Sequence, residues 1–243
     1  MAGSYRHRLY AKYASVHCPG WLASDTKADA SWARAALWRT RGWLPADKHA
    51  RCLDLGCGAG HVLMALRAAG YLNVQGVDVS PEAVAIARSK GLDVVDADLR
   101  AFLHAARDRW DLITAFDVIE HFGKDEILGV LGLILERLNP RGVFILQTPN
   151  TLSPWAGHYR YRDLTHELIF SPEALESTLR LVGFQEIEIR GAAPYVHGLI
   201  SAVRWLLWKE CGVAAALWNL AETGSTLGGV YTRNMVAKAV KDA

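Results

Sequence analysis

The sequence predicts an α/β fold: a doubly wound, seven-stranded, mostly parallel sheet with an N-terminal helical cap and a helical insertion between the last two strands. Three observations predict it. A short apolar run at Cys52, Leu53 and Leu55 enters a turn stripped of side chains at Gly56, Gly58 and Gly60, and helical spacing resumes at Val62. Apolar runs then alternate with helical segments, the rhythm of a parallel sheet covered on both faces. The 243 residues, 51% hydrophobic and 21% charged, can bury one full core with some decoration.

Each element follows in order. Residues 1 to about 28 mix Tyr5, Tyr10, Tyr13, His17 and Trp21 with polar positions, which reads as a cap over the domain. Asp29 to Arg41 form a helix stopped by Gly42, with Trp32 and Trp38 as core residues. After the glycine turn, a helix spans Val62 to Ala69 and a second strand spans Asn73 to Val79. Ser80-Pro81-Glu82 starts the next helix, with Ser80 as N-cap and Pro81 in the first helical position, and Gly91 closes it. Leu92 to Val95 and Trp110 to Ala115 are the third and fourth strands. A helix from Lys124 to Leu138 leads through Asn139-Pro140-Arg141-Gly142 to a fifth strand, Val143 to Gln147. Thr151 to Phe170 form a long polar and aromatic loop of the kind that carries function. Ser171-Pro172-Glu173 opens a helix that ends at Gly183, and Phe184 to Arg190 and Gly229 to Ala239 supply the last two strands. Between those strands, His197 to Glu222 hold too many polar residues for a membrane span. They read either as a helical pair packed on the domain or on a dimer partner, or as a membrane-surface helix.

The strand, glycine turn and helix start bring backbone N–H groups and a positive dipole end to a ligand, which means a nucleotide-type cofactor. Asp78 lies 18 residues past Gly60 at the end of the second strand, where a carboxylate can accept bonds from both ribose hydroxyls. A nicotinamide dehydrogenase is the rival reading, but its turn needs Gly-x-Gly-x-x-Gly, whereas Gly56, Gly58 and Gly60 alternate here. The 243 residues then divide as a single domain into a cap or lid (1–48), a cofactor-binding core (49–195), the insertion (196–228) and the last strand (229–243). A net charge of +2 with no basic run excludes a nucleic-acid footprint. Cys18, Cys52, Cys57 and Cys211 show no metal spacing and read as reduced thiols of a cytoplasmic protein, at the inner face of the membrane if the insertion meets lipid. Arg6, His7, Arg8 and Lys12 come with no apolar run, so the N-terminus reads as neither a signal peptide nor a span.

Leu53-Asp54-Leu55-Gly56-Cys57-Gly58-Ala59-Gly60, Gly76-Val77-Asp78-Val79-Ser80, Asp96-Ala97-Asp98-Leu99, Asp111 to His121 and Leu138-Asn139-Pro140-Arg141-Gly142 resemble the ordered motifs of class I S-adenosylmethionine-dependent methyltransferases. The resemblance covers roughly residues 50 to 190 and implies a Rossmann-like sheet whose antiparallel seventh strand lies beside the fifth. It implies that Asp54, Gly56, Cys57, Gly58 and Gly60 face the methionine end of the cofactor. Asp78 and Val79 then meet the ribose, Asp98 and Leu99 frame the adenine, and Phe116 completes the site. Arg141 stands where the family usually has glycine.

Asp117-x-x-Glu120-His121 resembles metal-dependent O-methyltransferases, in which a downstream histidine completes a divalent site; His166 is the candidate and His158 the reserve. The expected metal set is Asp117, Glu120, His121 and His166, for Mg2+ or another divalent cation, and the expected catalytic set is His166, His121 and Asp117. A cation could act as Lewis acid on a hydroxyl, or a free histidine could act as general base; the residues leave both open. His61 reads as a helix-start or cofactor-side residue. Several later motifs look similar to bacterial methyltransferases of surface-polysaccharide and glycolipid assembly, which implies O-methyl transfer to a saccharide or glycolipid. Trp155, Tyr159 and Tyr161 would offer ring faces to such an acceptor. The alternatives are a quinone- or phenol-type small-molecule acceptor and a non-catalytic subunit that binds partners through the insertion.

Overall fold

A computed structural model describes residues 5–22, 26–226 and 229–243, so parts of the expected cap and the last two residues of the expected insertion lie outside the described residues. The strands are β1 (Arg51–Leu55), β2 (Asn73–Asp78), β3 (Val94–Asp96), β4 (Trp110–Phe116), β5 (Leu138–Pro149), β6 (Gln185–Gly191) and β7 (Asn234–Val240). They form one seven-stranded sheet in the order β3-β2-β1-β4-β5-β7-β6. All pairings are parallel except those of β7, which runs antiparallel to β5 and to β6.

Adjacent β1 residues explain the sandwich. Leu53 and Leu55 enter an apolar cluster with Ile113, Phe144 and Leu131, while Cys52 enters the opposite cluster with Leu63, Leu112 and Ile145. Alternation along a strand buried on both faces requires a helical layer on each side. One layer holds α3 (Thr26–Arg39), α4 (His61–Ala68) and α5 (Pro81–Ser89); the other holds α6 (Leu99–Ala105), α7 (Lys124–Arg137) and α9 (Pro172–Val182). Ser80 and Ser171 cap α5 and α9 by accepting from Ala83 N and Ala174 N, each followed by proline, as their sequences predict. The short helices α1 (Tyr5–Tyr10) and α2 (Tyr13–Val16) lie across the carboxyl edge of the parallel strands.

Several elements differ from expectation. The seven-residue α6 is too short for periodicity to reveal; its signal is Asp98, whose Oδ1 accepts from Arg100 N at 3.0 Å and Ala101 N at 3.1 Å. The loop after β5 contains the helix α8 (Ala156–Arg162). β5 starts at Leu138, which pairs with Trp110 before a register shift, and Arg141 sits in the intervening turn at φ +60°. β7 starts at Asn234 because the preceding carbonyls are taken elsewhere: Asn150 Nδ2 donates to Val230 O and Thr232 O, and Asn150 N donates to Arg233 O. Trp32 and Trp38 are half-buried rather than core. The insertion is not a helical pair but one continuous 25-residue helix, α10 (Leu199–Thr223), which runs through Gly212. No described helix is long and apolar enough to cross a membrane.

Candidate active site

The glycine turn lies at the carboxyl ends of β1 and β4. Gly56 holds φ +60°, and a Cβ there would meet Val118 Cγ2 at 2.6 Å, so both conformation and space demand glycine. Gly58, at φ +52°, lets the Trp21 ring of the cap lie against the backbone, 2.7 Å from where a Cβ would stand. The turn is pinned from β2: Asp78 accepts from Gly58 N and from Ser80 N, both at 2.8 Å. Beneath it Asp54 is 1% exposed. Its Oδ1 accepts from Thr114 Oγ1 at 2.6 Å, whereas Oδ2 is buried without a partner. Burial pushes the Asp54 carboxyl up to about 8, against the lowering bond from Thr114.

A cavity of about 920 Å³ opens above this turn, lined by every predicted cofactor residue except Gly60, which instead caps α4. The cap closes over it through polar contacts with four separate elements. Arg6 Nη1 donates to Glu126 Oε2 at 2.9 Å, Ser15 N and Oγ both donate to Glu82 at 2.9 Å, and Tyr13 OH donates to Asp163 Oδ2 at 2.9 Å. Asp29 of α3 joins His61 and Lys90, each at 2.9 Å. Tyr5, Tyr10, Tyr13, Trp21 and Trp32 supply the aromatic walls. The rings expected to do so do not: Trp155 and Tyr161 are exposed on the outer surface, at 58% and 81%, and neither they nor Tyr159 line the cavity.

Beyond β4 the chain turns at Asp117, a non-glycine residue at φ +56°, into a 3-10 turn over Ile119–His121. This places Glu120, His121 and His166 together, with one ligand atom from each lying within 4.8 Å of the others. Asp117 is not in that group. Its carboxylate accepts from Gln147 Nε2 at 3.0 and 3.1 Å and from Asn234 Nδ2 at 3.2 Å, and it lines the cavity. His158 is exposed on α8 and stands outside the cluster. His61 begins α4 and lines the cofactor cavity, at a distance from the cluster.

A family model described as a methyltransferase domain matches residues 27–189. The chain belongs to that family. The methyltransferase resembles a solved S-adenosylmethionine-dependent methyltransferase from Archaeoglobus fulgidus at 20% identity and TM-score 0.65, over 94% of this chain and 100% of that one. It also resembles a Haemonchus contortus phosphoethanolamine N-methyltransferase in complex with S-adenosylhomocysteine, at 18% identity and TM-score 0.64, over 98% of this chain and 60% of that one. A third likeness is to magnesium protoporphyrin IX methyltransferase from Synechocystis with bound S-adenosylmethionine, at 14% identity and TM-score 0.59, over 100% of both chains. No curated protein matches the sequence. The chain is an S-adenosylmethionine-dependent methyltransferase, and the cradle fits that cofactor. The turn presents bare backbone, Asp78 keeps lone pairs for a diol, and the buried Asp54 Oδ2 has no partner within the protein.

Hydrogen bonds fix the cluster of Glu120, His121 and His166. Thr165 Oγ1 donates to Asp163 Oδ1 at 2.6 Å and lies 2.8 Å from His121 Nδ1. With its proton committed to Asp163, Thr165 must accept from His121, so Nδ1 carries the hydrogen and Nε2 keeps its lone pair. His166 is oriented likewise, with Nδ1 2.8 Å from the Tyr159 carbonyl. Burial would raise the pKa of Asp163, but bonds from the Thr165 hydroxyl and backbone N–H and from Tyr13 outweigh it, and the net shift is downward. Burial, aided by neighbouring His166, pulls His121 down to about 4. Glu120 is fully buried; Oε2 accepts from Thr148 Oγ1 at 3.1 Å and Oε1 has no partner. Burial, together with the charge of Asp117, raises its pKa well above the ordinary range. Sequence reasoning missed the supporting roles of Thr148, Asp163, Thr165 and Tyr13, for which the Asp163-x-Thr165 spacing beside His166 was the available signal.

Proposed function

We propose that this methyltransferase moves the methyl group of S-adenosylmethionine to a hydroxyl of a saccharide or glycolipid, and that Glu120, His121 and His166 hold a divalent cation beside the reacting oxygen. The observation that carries the reading is the buried Glu120 carboxyl, with Oε1 unpartnered, grouped with two oriented imidazoles. A buried carboxylate oxygen without a partner is costly, and a cation would relieve that cost. Two imidazoles and one carboxylate suit a first-row transition ion better than Mg2+, which prefers an all-oxygen set.

The same geometry disfavours His121 as a free base. A group held near 4 is a weak proton acceptor at neutral pH, but it is the neutral ligand that a metal requires. A cation bound there would supply Lewis acidity, lowering the pKa of the acceptor hydroxyl. The hydroxyl oxygen forms the new bond to the methyl carbon, the carbon–sulfur bond breaks, and the sulfonium becomes a neutral thioether. Asp117, on the cavity wall and with its pKa raised by burial against the Gln147 bond, accepts the hydroxyl proton. Cation activation favours oxygen over nitrogen, because binding an amine would occupy the lone pair it needs for attack. Ring faces from Tyr5, Tyr10 and Tyr13 match the apolar faces of a sugar.

The test is methyl transfer from labelled cofactor to nucleotide sugars, lipid-linked glycans and catechols, with and without chelator and with Mn2+, Zn2+ or Mg2+ restored. Turnover on a glycan that chelation abolishes is expected. Turnover indifferent to chelation would remove the cation, and exclusive turnover of catechols would replace the saccharide.

A further inference from the structure

We propose that Arg39 and Asn234 form a carboxylate subsite for the acceptor, which makes the methylated saccharide a uronate. The sugar rests on the saccharide reading above, whereas the carboxylate does not.

Four buried side-chain atoms among the described residues have no hydrogen-bond partner: Arg39 Nε, Asp54 Oδ2, Glu120 Oε1 and Asn234 Oδ1. Asp54 lies beneath the cofactor turn and Glu120 belongs to the ligand cluster, which leaves Arg39 and Asn234. Both flank one pair of residues. Arg39 Nη1 donates to Gln147 Oε1 at 3.3 Å, and Gln147 Nε2 donates to the Asp117 carboxylate at 3.0 and 3.1 Å. Asn234 Nδ2 donates to Asp117 Oδ1 at 3.2 Å. Both amides must aim their nitrogens at that carboxylate, so Asn234 Oδ1 is left as a spare acceptor. A spare donor and a spare acceptor therefore border a carboxylate that lines the cavity.

The free part of Arg39 selects the ligand. Its side-chain bond among the described residues is to a neutral amide, and it forms no ion pair there. Burial pulls its pKa down against the charge of Asp117, as befits a cation whose lost hydration is not repaid. Holding Gln147 needs only Nη1 and leaves Nε unexplained. The edge that remains is Nε with Nη2, the side of a guanidinium whose two parallel N–H groups match the two oxygens of a carboxylate. One guanidinium neutralises one negative charge, and Asp117 nearby opposes a second, so a carboxylate fits better than a phosphate. Asn234 Oδ1 can accept from a hydroxyl of the same sugar.

The subsite adjoins the reacting centre. Arg39 stands seven residues beyond Trp32 on α3, about 10 Å along the same helix face, and Asp29 and Trp32 on that face line the cavity. Gln147 directly precedes Thr148, which bonds Glu120 Oε2 at 3.1 Å.

The test is calorimetry on the full-length protein saturated with S-adenosylhomocysteine, titrated with methyl glucuronide, methyl glucoside and glucose phosphate, and with protocatechuate against catechol. Methyl glucuronide is expected to bind about 10- to 100-fold more tightly than methyl glucoside. Arg39→Gln should abolish that preference, and its unchanged affinity for S-adenosylhomocysteine would show that the fold survives. Arg39→Lys, which keeps the charge and loses the fork, should retain only part of the preference. An undiminished preference in Arg39→Lys overturns the two-pronged contact, and one that survives in Arg39→Gln overturns the subsite. Equal binding of the charged and neutral members of both sets also overturns it, and tightest binding of glucose phosphate overturns the carboxylate. An Arg39-dependent preference confined to protocatechuate supports the subsite and overturns the saccharide alone.

Discussion

The two sides of the cavity are built by different means. On the cofactor side, ligand-facing groups come from the ends of adjacent strands, and the key contacts are to backbone: Gly58 N and Ser80 N to Asp78, and an open turn at Gly56. On the acceptor side, side chains from three distant segments meet. Tyr13, His121 and Asp163 with Thr165 form one hydrogen-bonded chain although 150 residues separate Tyr13 from Asp163. A backbone cradle needs only a local sequence and one sheet, so it accommodates one cofactor across many chains. A side-chain cluster depends on how a cap and a loop close over that sheet, and it can change without disturbing the cradle.

Substitutions that separate the two sides test this division. The largest effect is expected from His121→Ala, which should lower kcat by roughly 100- to 10,000-fold while leaving cofactor affinity in calorimetry unchanged. Thr165→Val, which removes the acceptor of His121 Nδ1, should cost about 10- to 100-fold by the same assay, as loss of a ligand's orienting partner does. Loss of cofactor binding in either variant would break the division.

The converse change is Gly56→Ala. Forcing a side chain into the left-handed region costs about 1 to 2 kcal/mol, and the Cβ must displace Val118. Cofactor affinity should fall by about 10-fold or more, whereas cation binding, followed by calorimetry with Mn2+, should not change.

A separate effect, on stability rather than on binding, concerns Asp54. Its carboxyl is held up to about 8 in the folded chain, so the native state binds an extra proton across the window from the ordinary carboxylate range to that value. Stability is therefore fullest below this window and falls as pH rises through it, by at most about 1.4 kcal/mol per pH unit. Asp54→Asn, with no proton to lose, should flatten the denaturant midpoint against pH over that range. An equally steep profile in the variant would assign the effect to another buried acid, with Glu120 the first to examine.

The cofactor side was legible because its determinants are short-range. A glycine at positive φ, a strand buried on both faces and a serine-proline helix start each act within a few residues, whereas the antiparallel run of β7 was implied only by the family resemblance. The misses are equally physical. α6 is too short to show a period, and α8 hides in a polar stretch with no apolar stripe. The predicted helical pair became one helix because a single Gly212 costs only about 1 kcal/mol and does not break a long run of helix formers.

By itself, then, the sequence determined the α/β sheet and the glycine cradle, since each is written in local spacing, whereas the expected ligand set Asp117, Glu120, His121 and His166 was implied by a family resemblance. Tertiary structure alone decided the rest. It bonded Asp117 to Gln147 and Asn234, outside the ligand group, and it put Trp21 and Trp32 on the cavity wall while leaving Trp155 outside. It also left apolar side chains of α10 exposed. These outcomes depend on which distant side chain wins a given hydrogen bond or apolar surface, and that competition is settled only when the whole chain has closed.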